Sequence, residues 1–474
     1  MQTHLDTRTE TVRRRGPYRR SPRSTAIKFA ACLVVALLVA FVPEYVGLTP
    51  AARRAFFILL FAAGLWVTEA IPAYAVALLV IALEIAMLGK PGGVYAEGPK
   101  DWEQFVKPFG SPVIWLFFGG FVLAKGAART NVDRRMASIL LGRFGASPTI
   151  ALLIVMGVTF VFSMFISNTA AAAAMIALLT PIVLAMDEAN PFSKALLLGV
   201  PFAANLGGMG TVIGSPPNAI AVGQLAEAGH QVGFAEWMLV GVPPAVLLFG
   251  LAYVLLCVLY RPTEKTLPLE ALADSARQAP MRHGWHPPLV VGVFLLTVGL
   301  WMTSTFHGLP TTVVSFLPIV AFTVGGVLRS AEIRELPWEV LLLLAGGLSL
   351  GVAVSGTGLA DWLVMQLPTE ALGGLGIAIA LAFTACILSN FMSNTAATNI
   401  LVPIALAIGG GEIGLVVPVA LAASCAMALP VSTPPNAIAQ ASGRLKATDF
   451  LTVGVIVGIL GPLLVTLWSS WIVG

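Results

Sequence analysis

One polar octapeptide occurs twice in this chain, both times inside a long apolar stretch. Ser163-Met164-Phe165-Ile166-Ser167-Asn168-Thr169-Ala170 and Ser389-Asn390-Phe391-Met392-Ser393-Asn394-Thr395-Ala396 share the pattern Ser-x-x-x-Ser-Asn-Thr-Ala. A hydroxyl or amide left bare in hydrocarbon costs on the order of 2–7 kcal/mol, so each copy must be bonded to something. A lone Ser-Asn-Thr reads as helix–helix hydrogen bonding. Two copies in matching places read as one binding site built from two halves.

The surroundings are those of a bilayer. The chain has 474 residues, 57% hydrophobic and 11% charged, whereas a soluble domain carries about 25% charge. This is a polytopic membrane protein with no nucleic-acid partner. Its cysteines, Cys32, Cys257, Cys386 and Cys425, lie far apart in apolar runs and read as small hydrophobes. Residues 1–25 carry Arg13, Arg14, Arg15, Arg19, Arg20 and Arg23 with Pro17 and Pro22, and read as a disordered basic tail. Ala26–Val42 is long for a signal peptide and no cleavage site follows, so it reads as a first membrane helix.

Further spans are expected at Ala55–Thr68, Ile71–Met87, Pro112–Lys125, Met238–Tyr260, Pro288–Phe306, Thr311–Leu328, Trp338–Ser355 and Phe450–Val473. Ala195–Val222 and Gly414–Ala439 read as spans interrupted near Gly214–Asn218 and Ser432–Asn436. Pro148–Met186 and Ala371–Ile408 are each about twice the length of one span and are broken at the triplets. They read as re-entrant hairpins with polar tips, since irregular backbone at membrane depth is tolerated only beside protein or a wet cavity. About eleven spanning helices and two hairpins result. With the hairpins entering and leaving on one side, the loops holding Arg129–Arg143, Arg261–Arg282, Arg329–Arg334 and Arg444–Lys446 fall inside with the N-terminus. Arg53 and Arg54 fall outside, against that rule. Trp115, Trp237, Trp301, Trp338, Trp468 and Trp471 read as interface anchors, Lys125 as snorkelling to the cytoplasmic surface, and Glu69 and Glu84 as interfacial.

Three landmarks repeat in order. Gly119-Gly120 recurs at Gly346-Gly347, Ser167 at Ser393, and Pro216-Pro217-Asn218-Ala219-Ile220-Ala221 at Pro434-Pro435-Asn436-Ala437-Ile438-Ala439, with offsets of 227, 226 and 218 residues. The chain is a duplicated unit, and the topology count gives the copies opposite orientations, the pattern of secondary transporters with midplane sites. Pro-Pro within a span breaks the helix, so each Pro-Pro-Asn string marks a discontinuous helix. Gly207-Gly208-Met209-Gly210 permits close backbone approach at the first break, and the Gly210/Gly214 spacing reads as helix packing.

Hairpin tips and helix breaks present helix N-termini with free N–H groups, which suit anions, and exposed carbonyls, which suit Na⁺. Neither the triplets nor the Pro-Pro-Asn strings contain Lys, Arg, His, Asp or Glu. A dianion there is held by dipoles, neutral donors and bound cations, and no titratable group for proton coupling is evident. Gly347-Leu348-Ser349-Leu350-Gly351 matches the Gly-x-Ser-x-Gly nucleophile elbow but lies in an apolar helix, so it reads as coincidence.

At these residues the chain resembles the divalent anion/sodium symporter family, which includes sodium-dicarboxylate, citrate and sulfate carriers. The resemblance covers nearly everything after the tail. It implies an all-α inverted-repeat transporter, homodimeric, in the inner (plasma) membrane, with an elevator mechanism. The implied first repeat is 26–260, with scaffold helices 26–130, hairpin 148–186, broken helix 195–222 and helix 238–260. A cytoplasmic connector spans 261–287. The second repeat is 288–474, with scaffold helices 288–355, hairpin 371–408, broken helix 414–439 and last helix 450–473. Carried over by motif, Ser163, Ser167, Asn168 and Gly214 form one sodium site, and Ser389, Ser393, Asn394 and Ser432 the other. Ser167, Asn168, Thr169, Ser215, Pro216, Ser393, Asn394, Thr395, Thr433 and Pro434 line the substrate. Ser432 stands where the family often has Ala and uses the backbone carbonyl, so its hydroxyl is an extra group there. The implied activity is Na⁺-coupled symport of a C4-dicarboxylate, with no catalytic residues. A sodium-independent exchanger and a sodium/sulfate symporter are the alternatives within the family. An anion channel and an intramembrane hydrolase using Ser349 are the alternatives outside it.

Overall fold

The computed structural model describes residues 22–130, 138–143, 147–187, 190–268, 286–366, 369–409 and 412–473. The basic tail up to residue 21 and most of the connector lie outside the described residues. Among the described residues the helices of seven residues or more are α1 Pro22–Phe41, α2 Pro50–Thr68, α3 Ala73–Met87, α4 Pro112–Thr130, α5 Pro148–Ser163, α6 Asn168–Ala185, α7 Phe192–Gly207, α8 Pro216–Glu227 and α9 Phe234–Leu259 in the first half. The second half holds α10 His286–Met302, α11 Thr311–Val324, α12 Trp338–Gly356, α13 Leu359–Met365, α14 Thr369–Ser389 (bent at Gly373), α15 Asn394–Ile408, α16 Ile413–Ala423, α17 Pro434–Gln440 and α18 Leu451–Val473.

Both long apolar stretches are broken at the triplets. α5 and α6 are joined by residues 164–167, and α14 and α15 by residues 390–393. Both interrupted spans are broken too. The first gap runs over 208–215, and the second over 424–433, starting eight residues before Ser432. The two-turn α17 is the whole of the helical segment beyond this break, before the turn into α18.

Packing obeys the duplication. α5 lies on α7 as α14 lies on α16, and α7 on α9 as α16 on α18. Gly119 of α4 accepts Ser315, the fifth residue of α11, while Gly346 of α12 accepts Ala77, the fifth residue of α3. These are one contact seen from both halves, and an added Cβ at either glycine collides with its partner's backbone. The halves also interlock. α8 of the first half packs on α15 and α16 of the second, and α17 of the second packs on α6 and α7 of the first. α7 and α16, gripped from both sides, are almost wholly buried.

Several sequence expectations change. Glu84 is not interfacial: it is fully buried, and the Ser349 hydroxyl donates to its Oε2. Trp237 and Trp301 are not anchors but buried core, with Trp301 stacked on Phe234 at 5.1 Å. Lys125 does not simply snorkel; its Nζ pairs with Glu335 at 2.7 Å. Gly210 and Gly214 lie in the break between α7 and α8 rather than on a helix face. For Glu84, Trp301 and Lys125 the partner comes from a distant segment, which local patterning does not reveal.

Candidate functional site

Each triplet starts a helix. Ser167 is the N-cap of α6, its Oγ accepting from Ala170 N at 3.5 Å, and Ser393 is the N-cap of α15, its Oγ accepting from Ala396 N at 3.2 Å. Asn168 and Thr169, and likewise Asn394 and Thr395, therefore hold the first two helical positions. Their N–H groups have no intrahelical acceptor and point out of the positive end of the helix dipole. Thr169 and Ser393 are exposed, and Ser167, Asn168, Asn394 and Thr395 are half-buried, so these groups border open space.

The Pro-Pro-Asn strings start helices as well, but with a different consequence. Pro216 and Pro217 open α8, and Pro434 and Pro435 open α17, so the first two positions carry no N–H at all. The third N–H is already used, Asn218 N on Ser215 O at 3.1 Å and Asn436 N on Thr433 Oγ1 at 3.3 Å. The expectation of free N–H groups at every break is thus corrected. Of these four helices, α6 and α15 are the ones whose first two positions offer backbone donors to an anion. The prolines instead shape the breaks, and the asparagines hold them. Asn218 Nδ2 donates to the carbonyls of Gly208 (2.8 Å) and Thr211 (2.7 Å). Asn436 Nδ2 donates to those of Met427 (3.0 Å) and Leu429 (2.9 Å).

In the first half, hairpin tip and break meet through oxygen atoms. Ser163 Oγ is buried, 2.7 Å from both Asn168 Oδ1 and the Ala204 carbonyl. One hydroxyl hydrogen serves only one acceptor at a time, so oxygens outnumber protons here. A Cβ built on Gly214 would meet Gly208 O at 2.6 Å and Met164 O at 3.1 Å, so two carbonyls converge on that glycine. Gly208 lies against the Asn168 carboxamide, where an added Cβ would come within 2.6 Å of both Oδ1 and Nδ2. Thr211 Oγ1 donates to Met164 O and accepts from Gly214 N at 3.0 Å.

In the second half, Ser389 Oγ and Asn394 Oδ1 are buried with no hydrogen-bond partner. An unsatisfied buried polar atom costs about 1–3 kcal/mol, and two on one tip call for a positive partner. The donor set, hydroxyl, amide and carbonyl oxygens without a carboxylate, is that of a hard monovalent cation, and the residues fit Na⁺. The Ser432 hydroxyl is engaged with the hairpin tip. It lies 2.9 Å from Asn390 Oδ1 and accepts from Leu429 N at 3.0 Å. Asn390 Oδ1 also accepts from Ala428 N at 3.1 Å. Asn390 occupies the place of Met164, so the tip-to-break link made by Thr211 in one half is made by Asn390 and Ser432 in the other.

The two halves join at Asn205 of α7. Its Nδ2 donates to Thr433 Oγ1 at 3.1 Å and Asn436 Oδ1 at 3.3 Å. Ser215 and Thr433 are buried N-caps of α8 and α17. Because α17 packs on α6 and α8 on α15, each triplet helix adjoins the other half's Pro-Pro-Asn helix. The motifs thus gather into two composite clusters, one centred on α6 and α17, the other on α15 and α8. Asn205, Thr211, Asn390 and Trp237, whose Nε1 donates to Met209 O at 3.1 Å, escape a motif search. A lone carboxamide in an apolar run is the sequence signal that points to Asn205 and Asn390.

A family profile described as the sodium:sulfate symporter transmembrane region matches residues 23–473. The sodium-dependent dicarboxylate transporter SdcS of Staphylococcus aureus (strain bovine RF122 / ET3-1) is 33% identical over 449 residues, covering 85% of this chain and 82% of that one. SdcS of strain NCTC 8325 / PS 47 aligns with the same identity and coverage. The crystal structure of the Alcanivorax borkumensis YdaH transporter shares the fold, with a TM-score of 0.54 over 87% of this chain and 97% of that one at 12% identity.

Proposed function

This chain belongs to the family of the sodium:sulfate symporter transmembrane region, and from that premise we propose that it moves a C4-dicarboxylate such as succinate, malate or fumarate across the inner membrane together with Na⁺. The observation that carries the reading is the pairing of chemistries at each triplet. One side of the tip offers free backbone N–H groups at Asn168 and Thr169, or Asn394 and Thr395. The same tip also gathers buried oxygen atoms without hydrogen-bond partners, among them Ser389 Oγ and Asn394 Oδ1. Two such ends suit the two carboxylates of one substrate, and the bound cations offset its charge where no cationic side chain does. The sodium-dependent dicarboxylate transporters at 33% identity support this choice of substrate.

Ser163, Ser167, Asn168 and Gly214 hold one Na⁺ in this proposal, and Ser389, Ser393, Asn394 and Ser432 the other, with Ser432 contributing its carbonyl because its hydroxyl is taken. Asn168, Thr169, Asn394 and Thr395 bind the carboxylates, and Ser167, Ser393, Ser215, Pro216, Thr433 and Pro434 line the space between. Helices α5–α8 and α14–α17 move as one unit against α1–α4 and α10–α12, as an elevator, in a homodimer whose N-terminus is cytoplasmic. The closest rival is sulfate, the anion in the family's description.

Uptake of labelled succinate into proteoliposomes with an inward Na⁺ gradient tests the reading. Uptake is expected to saturate, to stop when K⁺ replaces Na⁺, and to resist excess sulfate. Uptake indifferent to Na⁺ overturns symport in favour of exchange, and full competition by sulfate moves the substrate class.

A further inference from the structure

Helix α12 carries a second, unassigned constellation on the face opposite Glu84. Its residues Leu343, Gly347 and Gly351 follow at intervals of four, so their carbonyls form a row with steps of about 6 Å along the helix. Two buried carboxamides lie on this row. Gln224 of α8 donates through Nε2 to Gly347 O at 3.0 Å, and a Cβ built on Gly351 would fall 2.9 Å from its Oε1. Asn399 of α15 reaches Leu343 O through Nδ2 at 3.5 Å, and its Oδ1 occupies the space a Gly347 side chain would need. Each amide sits on one step of the row, and the missing side chains at Gly347 and Gly351 are what admit them.

Both amides are half-satisfied: Gln224 Oε1 and Asn399 Oδ1 are buried without a hydrogen-bond partner. The duplication does not require them. By the repeat offsets the counterpart of Asn399 is Ala173 and that of Gln224 is Ser442, and Gly120, the counterpart of Gly347, meets Ile213. Carboxamides here are dispensable for packing the fold, yet they are carried by the helices that bear Pro216-Pro217-Asn218 and Ser393-Asn394-Thr395. Interhelical amide–carbonyl bonds in a membrane are weak enough to exchange, and packed helices shift by discrete turns rather than continuously.

We propose that Gln224 and Asn399 are positioning residues that hold the substrate-bearing helices in register on the Leu343–Gly347–Gly351 carbonyl row, and that each moves to a neighbouring step when the unit moves. The proposal rests on the moving-unit reading above. It assigns these residues to the position of the unit and not to substrate contact.

The test uses full-length protein in liposomes, spin-labelled after Val324→Cys on α11 and Leu184→Cys on α6, both exposed positions. Interspin distances are measured for the wild type, Gln224→Met and Asn399→Leu, alongside succinate affinity and uptake rate. Gly351→Ala serves as the variant that keeps both amides but displaces Gln224. The expected result is two distances in the wild type, with proportions shifted by roughly threefold or more in each variant. Uptake rate should change with them while succinate affinity stays within roughly threefold. Two wild-type distances whose proportions no variant alters overturn the register role alone. A single wild-type distance, unmoved by Na⁺, overturns both the moving unit and the register. Loss of affinity in parallel with uptake, in variants with a lowered melting temperature, assigns the amides to packing and overturns the proposal.

Discussion

Ser389 and Ser163 are the same residue in the two repeats and live in different company. Ser163 Oγ has two oxygen neighbours at 2.7 Å, whereas Ser389 Oγ has no hydrogen-bond partner. The bare oxygen is the more dependent on a cation. Ser389→Ala should therefore raise the Na⁺ concentration for half-maximal uptake about tenfold, the effect of losing about 1.4 kcal/mol of ligation. Ser389→Thr should leave it near the wild-type value, because the hydroxyl survives. A Na⁺ titration of uptake reads both, and equal behaviour of the two variants would refute the assignment. Asn390 and Ser432 show the limit of motif reading at this scale. The Ser432 hydroxyl looked available from sequence, but the side chain of Asn390, one residue after the motif's first serine, occupies it.

At the scale of the element, the breaks owe their existence to proline and their shape to asparagine. The Pro-Pro pairs were legible in sequence as helix breakers. That they also delete the N–H donors of α8 and α17 follows from the same chemistry once the prolines are placed at the first two positions. The break itself is compressed against the hairpin tip at Gly208, beside Asn168. Gly208→Ala inserts a methyl group into that contact at a cost of about 1–3 kcal/mol. It is expected to displace the Asn168 carboxamide and abolish uptake, with α-helical content unchanged by circular dichroism. Retained uptake with normal Na⁺ dependence would show that Asn168 can serve from another position.

Across the whole molecule, charge pairs tie segments that are far apart in the chain. Lys125 and Arg129 of α4 pair with Glu335 and Glu332, and Lys194 of α7 pairs with Asp449 at 3.0 Å, joining the two halves. Being partly exposed, the Lys194–Asp449 pair is worth about 1 kcal/mol or less, so Lys194→Met should lower the unfolding midpoint only slightly. Glu335 adds a pH dependence. The Lys125 ammonium, by hydrogen bond and charge, holds its carboxyl below the ordinary 4.5. A depressed folded value means the contribution is complete above 4.5 and fades as pH falls through the lowered value. Thermal unfolding at pH 7 and under acid conditions, with and without Lys125→Met, should show the variant losing less on acidification than the wild type.

Sequence by itself determined the class, the duplication and the location of the polar strings. These are properties of composition and periodicity: twenty-residue apolar runs, Pro-Pro inside a span, and uncharged triplets repeated at a near-constant offset. Helix starts marked by a capping serine or a proline, as at Ser167, Ser393, Pro216 and Pro434, were legible as local signals, whereas the second break starts eight residues before Ser432 with no such signal. Only the tertiary structure decided which half completes which cluster, since α17 reaches α6 and α8 reaches α15 from far away in the chain, from the opposite half in each case. It also decided that Trp237 supports a break, that Glu84 is buried with Ser349, and that Gln224 and Asn399 lie on bare glycine backbone. The physical reason is the same throughout. A polar group in an apolar run announces that it needs a partner, but the partner's identity is set by which helices pack together.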